Sequence, residues 1–187
     1  VLEKELRDRL SLPFETPAPA LPFDKVIRLE KVSFRYPGAA AEALHDISLT
    51  IEPGQMVGVV GLSGAGKSTL VNILTGLIPA ESGCLSVGGV PITKDNTRSW
   101  LKRIGYVGQA PYILDASLAE NIALSRWGEE IDRDRVLECC RMAALDFIET
   151  LDNGLDTVLG ERGMRLSGGQ AQRVAIARAL YSEPELI

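Results

Sequence analysis

The sequence predicts an α/β fold in which a buried strand leads into a phosphate-binding loop and then into a helix. The continuous apolar run 56–60 is typical of a parallel strand that is buried on both faces. The loop 61–69 follows at once, and 68–74 continues as a helix that ends near Gly76. Two segments with alternating polarity, 26–34 and 47–51, predict an antiparallel pair of strands ahead of the loop.

Composition indicates one globular domain and excludes several functions. The 187 residues can bury a sizeable core, and 45% hydrophobic and 24% charged residues are ordinary values for a globular protein. The net charge of -5 argues against nucleic acid as a partner, because binding a phosphate backbone needs a basic surface. Three cysteines, two of them adjacent, indicate buried free thiols rather than disulfides or a zinc site. No apolar run approaches the roughly 20 residues that span a bilayer, so we expect a soluble chain.

The remaining elements follow from local pattern. Residues 1–25 predict a short charged helix and a Pro-rich linker to something upstream, with a disordered tail as the alternative. Beyond the phosphate loop, 85–87 and 104–107 are predicted strands, the second of them buried. Helices are predicted at 97–103, within 117–151 (notably 133–145) and at 170–181.

The loop 61–69 has the pattern G-x-x-x-x-G-K-[ST] that binds nucleotide phosphates. Its glycines let the backbone curl tightly, so that successive N–H groups point at the phosphates. Lys67 places a full charge on the β- and γ-phosphates, and the Ser68 hydroxyl suits Mg²⁺. The candidate nucleotide-binding residues of this loop are Gly61, Ser63, Gly64, Ala65, Gly66, Lys67, Ser68 and Thr69.

A second glycine-rich turn, Leu-Ser-Gly-Gly-Gln at 166–170, opens another helix. Unpaired N–H groups and the Ser167 hydroxyl at this helix start can hold a phosphate. Alone, such a turn is more often a helix cap. Gly168, Gly169 and Gln170 become candidate nucleotide-binding residues because the phosphate loop precedes them.

Together, the two motifs resemble the nucleotide-binding domain of an ABC transporter over residues 26–187. The resemblance implies a P-loop NTPase fold with an ABC-type ATPase core, ATP and Mg²⁺ as cofactors, and ATP hydrolysis in the parent protein. It also implies an antiparallel β subdomain and an α-helical subdomain at about 110–165, in a core that is incomplete at its C-terminal end.

The resemblance assigns further roles. It implies that Tyr36 stacks on adenine and that Gln109 contacts Mg²⁺ with Ser68 and senses the transmembrane partner. Lys67 and Gln109 are then the catalytic residues in this chain. The turn 166–170 closes on ATP held by the opposite subunit, so the implied partner is a second nucleotide-binding domain, paired head to tail.

Two segments point to an exporter. Residues 117–122 resemble the segment beneath the coupling helices of the transmembrane domain. Residues 157–163 resemble the exporter loop before the signature, although Val158 stands where an acidic residue is usual. In such exporters the transmembrane domain precedes in the same polypeptide, so we expect 1–25 to link to it and the chain to lie at the cytoplasmic face of the membrane.

The sequence also departs from the family pattern. The acidic strand, catalytic Glu and switch His would lie beyond Ile187, and Leu186 and Ile187 match only the start of that strand. His45, the one histidine, precedes the phosphate loop, and we interpret it as a turn residue. We therefore expect a piece of a longer protein that does not hydrolyse ATP alone. The alternatives are a soluble ABC ATPase that does not transport, and a non-catalytic remnant that binds nucleotide.

Overall fold

The computed structural model describes residues 26–126, 128–161 and 164–187. The chain divides into two compact units between Trp100 and Leu101. The phosphate loop belongs to the first unit, and the Leu-Ser-Gly-Gly-Gln turn belongs to the second. The helix and linker predicted at 1–25 lie outside the described residues.

The first unit is built on a four-stranded antiparallel sheet of order β2-β1-β3-β4. The predicted antiparallel pair is confirmed, with Ile27 opposite Ile51. The strands are β1 (Ile27–Phe34), β2 (Leu44–Ile51), β3 (Ser82–Val87) and β4 (Val90–Pro91). Helix α1 (Lys67–Leu74) follows the phosphate loop as predicted, and α2 (Thr97–Leu101) follows β4.

A bulge sets which residues of β1 face the core. Leu29 and Val32 are both buried although they are three residues apart, because the register shifts between them and Lys31 has a positive φ of 48°. Val87 of β3 is also fully buried. Trp100 is buried too, and its indole N–H donates to the carbonyl of Leu74 at 2.9 Å, which ties α2 to the end of α1.

The prediction of a buried strand at 56–60 is wrong for this structure. The segment is irregular, and its side chains are open to solvent, with Met56 97% and Val60 92% exposed. A parallel strand is buried only when neighbouring strands and helices cover both faces. Within the described residues, no strand pairs with this segment.

The second unit is helical. It contains α3 (Leu118–Ala123), α4 (Arg133–Met142) and α5 (Gly168–Tyr181), with 3₁₀ turns at Leu124–Arg126, Asp146–Thr150 and Gly154–Asp156. The predicted helical region 117–151 is therefore broken: the Asp132 side chain accepts from the N–H of Arg135 and starts α4, and Ala144 (φ 53°) follows its end. Among the described residues, no helix is long and apolar enough to cross a bilayer.

The core of the second unit is formed by buried side chains from its three helices. Cys139 and Cys140 are buried in it and free, as predicted, whereas Cys84 of the first unit is partly exposed. The fully buried residues of this core are Leu118, Ile122, Val136, Cys139, Leu159, Val174 and Ala177.

The buried strand predicted at 104–107 forms only in part. Ile104 makes a single parallel bridge with Leu186, and Gly105 is buried beside Pro184. Tyr106 is 58% exposed. Within the described residues, the bridge between Ile104 and Leu186 is isolated, so this segment does not form a continuous ladder of strand hydrogen bonds.

Candidate nucleotide-binding site

Gly66 is the pivot of the phosphate loop. It caps α1 in the left-handed conformation, with φ 84° and ψ 5°. A Cβ on Gly66 would lie 2.3 Å from the carbonyl oxygen of Ala43 and 2.9 Å from Cδ2 of Leu44. Conformation and space therefore both require glycine at this position. The tight turn at Gly66 therefore joins the phosphate loop directly to the N-terminus of α1.

Lys67 lies at the mouth of the loop. Its ammonium group donates to the carbonyls of Gly61 at 2.8 Å and Leu62 at 2.7 Å. Ser68 is exposed in the first turn of α1, where the described chain has no acidic residue. A helix N-terminus, an ammonium group and an available hydroxyl fit a nucleotide phosphate with its Mg²⁺.

Tyr36 is brought to the same loop. Its hydroxyl is hydrogen-bonded to Oγ1 of the buried Thr69 at 3.1 Å. Its ring meets that of Phe34 edge to face, with centroids 4.9 Å apart. The turn after it is closed by Gly38 (φ 80°), and Tyr36 stays 43% exposed. The first unit thus unites the predicted adenine-stacking residue with the phosphate loop, and the stacking itself stays a prediction.

The chain around Ala43 is a part of the site that the sequence did not reveal. Glu42 bonds Arg35 at 3.2 Å and His45 at 2.7 Å, and the bond with His45 is the main reason why the pKa of Glu42 is lowered. β2 begins at Leu44, which packs beside Gly66, so His45 is a strand residue and the interpretation as a turn residue is wrong.

The second glycine-rich turn caps α5. The Ser167 hydroxyl accepts from the N–H of Gln170 at 3.3 Å, and the Gln170 side chain accepts from the N–H of Ser167 at 2.8 Å. Gly168 and Gly169 are exposed, lack a positive φ, and have open space where a Cβ would stand. The fold of this chain does not itself demand glycine there. The two glycines instead leave the start of α5 open to an incoming group.

Gln109 is exposed in the second unit, directly after the partly formed strand. The neighbouring carbonyl of Gly108 accepts from the side chain of Gln172 on α5 at 3.4 Å. Lys67 and Ser68 belong to the other unit, so the joint role of Gln109 with them at Mg²⁺ stays a prediction.

The two segments predicted to mark an exporter are joined in the second unit. The N–H of Leu118 donates to the carbonyl of Thr157 at 2.9 Å, and that of Leu159 donates to the carbonyl of Ala116 at 2.8 Å. Gly160 (φ 91°) closes the contact, since its Cβ would lie 3.0 Å from Cα of Asp115. We call residues 114–123 and 157–160 the paired block. Residues 162 and 163 of the second segment lie outside the described residues.

A groove of about 790 Å³ runs between the paired block and the start of α5. Its lining mixes aromatic, aliphatic and charged side chains of both signs. They include Tyr112, Ile113, Asp115, Glu161, Arg165 and Leu166.

Comparison with known proteins places these features in a family. The family model described as ABC transporter matches residues 44–187, so the chain belongs to the ABC transporter family. The family prediction is confirmed, and with it the fold class, a P-loop NTPase with an ABC-type ATPase core.

Two named relatives show which members of the family this chain is similar to. The chain is 44% identical over 156 residues to the ATP-dependent lipid A-core flippase of Coxiella burnetii, covering 83% of this chain and 26% of that protein. It is 43% identical to the cyclolysin secretion/processing ATP-binding protein CyaB of Bordetella pertussis, covering 86% of this chain and 22% of the relative.

A solved structure agrees with these relatives. A bacterial Atm1-family ABC exporter with ATP bound matches with a TM-score of 0.79 and 37% identity, over 90% of this chain and 30% of that one. The chain thus spans about a quarter of the length of the curated relatives it matches. The matches confirm the prediction of an ATP-binding module of exporter type.

Proposed function

We propose that the chain binds Mg²⁺-ATP and powers transport by a longer ABC exporter, which hydrolyses the nucleotide. The observation that carries this proposal is the phosphate loop. Gly66 caps the start of α1 in a left-handed conformation, and the Lys67 ammonium group lies within the loop, where it donates to the carbonyls of Gly61 and Leu62. On ATP binding, Lys67 exchanges two neutral carbonyl partners for phosphate oxygens, a charge-assisted and therefore stronger interaction.

Bound Mg²⁺ supplies charge neutralisation at the phosphates. The residues that would hold it are Ser68, through its exposed hydroxyl, and Gln109, through its amide oxygen. Tyr36 offers its partly exposed ring to the adenine while its hydroxyl rests on Thr69. Each of these roles uses a group that the chain already presents.

Two composite sites are proposed to form when two such domains pair head to tail. The open backbone at Gly168 and Gly169 lets the start of α5 approach a phosphate held by the partner domain. The Ser167–Gln170 capping box fixes this helix start in advance. ATP binding would draw the two domains together, and hydrolysis would release them.

The groove beside the paired block is the proposed contact for a transmembrane domain of the same polypeptide. Tyr112 and Ile113 offer apolar contact area, while Asp115, Glu161 and Arg165 can set register with a partner helix. The module would then work at the cytoplasmic face of the membrane. No role for nucleic acid is proposed, given the net charge of -5.

Mixed dimers of the complete transporter test the composite sites. One copy carries Lys67→Ala and the other carries Gly168→Asp, each change being in a different motif. Either homodimer has two damaged sites, whereas the mixed dimer has one intact site. We expect both homodimers to lose ATP hydrolysis and the mixed dimer to recover up to about half of it. Homodimers that retain full activity would contradict the proposal. Nucleotide binding without hydrolysis in the wild type would instead indicate a non-catalytic module.

A further inference from the structure

Asn121 of α3 is the centre of the paired block. It is fully buried, and its side chain makes four hydrogen bonds to backbone groups within seven residues of it. Its Oδ1 accepts from the N–H of Leu114 at 2.8 Å, and its Nδ2 lies 3.0 to 3.2 Å from the carbonyls of Leu114, Ala116 and Ser117. One amide thus holds the turn that leads into α3.

Arg178 of α5 joins this centre to the helix that the glycine-rich turn opens. Its Nε donates to the backbone carbonyl of Asn121 at 2.8 Å, and its Nη2 donates to Oδ1 of Asn121 at 3.3 Å. Both acceptors are neutral, and burial lowers the pKa of Arg178. By contrast, Arg173 on the same helix lies 3.2 Å from a carboxylate oxygen of Asp146.

The geometry of this contact is suited to positioning. A guanidinium is a planar fork, so two donors on one residue fix both distance and orientation. A half-buried cation between neutral oxygens contributes less attraction than a cation paired with a carboxylate. What Arg178 supplies is therefore a fixed angle between α5 and the paired block.

We propose that Arg178, through Asn121, is a positioning residue that makes the paired block follow α5 when the start of α5 engages nucleotide. The inference rests on the proposed function, because nucleotide must act on α5. The partner to which the block would pass this movement is the transmembrane domain.

The test is hydrogen exchange on the complete transporter, with and without Mg²⁺-ATP and vanadate. Two peptides are followed: 166–176 at the start of α5 and 112–123 in the paired block. In the wild type we expect ATP to slow exchange in both. In Arg178→Gln the first peptide should still respond, while the response of the second falls by roughly fivefold or more.

Arg173→Gln is the matched control. Arg173 lies on the same helix and also bonds a backbone carbonyl, that of Ala144 at 2.9 Å, but its bonded partners Ala144 and Asp146 lie outside the paired block. Both peptides should respond normally in this variant. A loss of stability common to both variants would move the melting temperature of both, whereas the selective loss in peptide 112–123 should appear only in Arg178→Gln.

A milder variant keeps the test decisive if Arg178→Gln does not fold. Arg178→Lys retains the charge but lacks the planar fork that fixes orientation, so the response of peptide 112–123 should fall by about threefold. An unchanged response in this peptide for the Arg178 variants would overturn the inference. A wild type in which peptide 166–176 does not respond to ATP would instead overturn the proposed function.

Discussion

Gly66 shows how one residue is fixed by two separate constraints. The motif predicts glycine because the loop must curl, and the positive φ of 84° confirms that need. The second constraint, the carbonyl of Ala43 at 2.3 Å from a built Cβ, comes from a residue 23 positions earlier in the chain. Sequence pattern reveals the first constraint because it is local. It could not reveal the second, which depends on how β2 packs against the loop.

Substituting Gly66 separates the two constraints. Gly66→Ala should lower the free energy of unfolding by about 2–4 kcal/mol, because strain and a backbone clash act together. Gly54→Ala is the control, since Gly54 also has a positive φ (72°) but open space around it. That change should cost about 1 kcal/mol. Urea unfolding measures both values, and equal costs would show that the contact with Ala43 is unimportant.

Tyr36 and His45 also show that a local sequence pattern does not reveal tertiary contacts. The resemblance to the family predicts Tyr36 as a site residue from its place after the first strand, and that role stays a prediction. The bond between its hydroxyl and Thr69 depends on tertiary packing, as does the pairing of His45 with Glu42. Local pattern identifies the residue types, and the fold decides their partners.

At the scale of elements, two helices begin with the same device. Ser117 and Glu120 form a capping box at α3, and Ser167 and Gln170 form one at α5. In each box the acidic or amide side chain accepts from the backbone N–H of the serine at 2.8 Å. The boxes differ in one respect, since Glu120 titrates and Gln170 does not.

The pH dependence of the two helix starts should therefore differ. Hydrogen bonds from the side chain and then the backbone of Ser117 lower the pKa of Glu120 below 4.5. A lowered pKa means that the stabilisation is present above pH 4.5 and is lost as pH falls through the folded-state value. Amide exchange protection at Ser117 should fall in acid, while that at Ser167 stays constant. Glu120→Gln should abolish the difference, and parallel loss at both serines would contradict this assignment.

Strand prediction succeeded where the segment itself alternates between polar and apolar residues. β1 and β2 alternate in polarity and pair as expected. The apolar run 56–60 and the segment 104–107 are different, because an apolar run predicts burial only if other elements cover it. In the structure Met56 and Val60 are exposed, and Ile104 has one bridge partner. The sequence shows that these segments are apolar, but it does not show whether other strands or helices cover them.

At the scale of the whole molecule, sequence alone was sufficient for the family and the fold class. Two ordered motifs, each tied to an identifiable chemistry, identified both, and the family match over 44–187 confirms them. The resemblance implied an α-helical subdomain at about 110–165, but not the boundary between Trp100 and Leu101, since no change in composition marks it. Contacts distant in the chain define that boundary.

The thiols report on the integrity of both units. Burial raises the pKa of Cys139 and raises that of Cys140 to about 12, so neither forms a reactive thiolate at neutral pH. Cys84 is only partly buried. A thiol reagent at pH 7 should modify Cys84 alone in the native chain and all three cysteines in denaturant. Mass spectrometry of the modified peptides measures this, and rapid native labelling of Cys139 or Cys140 would refute the packed helical core.

The measurement that tests the central claim most directly is equilibrium titration of this chain with Mg²⁺-ATP, compared with its Lys67→Ala variant. We predict saturable binding at a single site per chain. Lys67→Ala should weaken it by roughly tenfold or more, about 1.4 kcal/mol, because the phosphates lose their cation. The melting temperature without nucleotide should stay nearly unchanged, since Lys67 bonds only exposed loop carbonyls. Absence of saturable binding, or equal affinity in the two proteins, would contradict the assignment of an ATP-binding module.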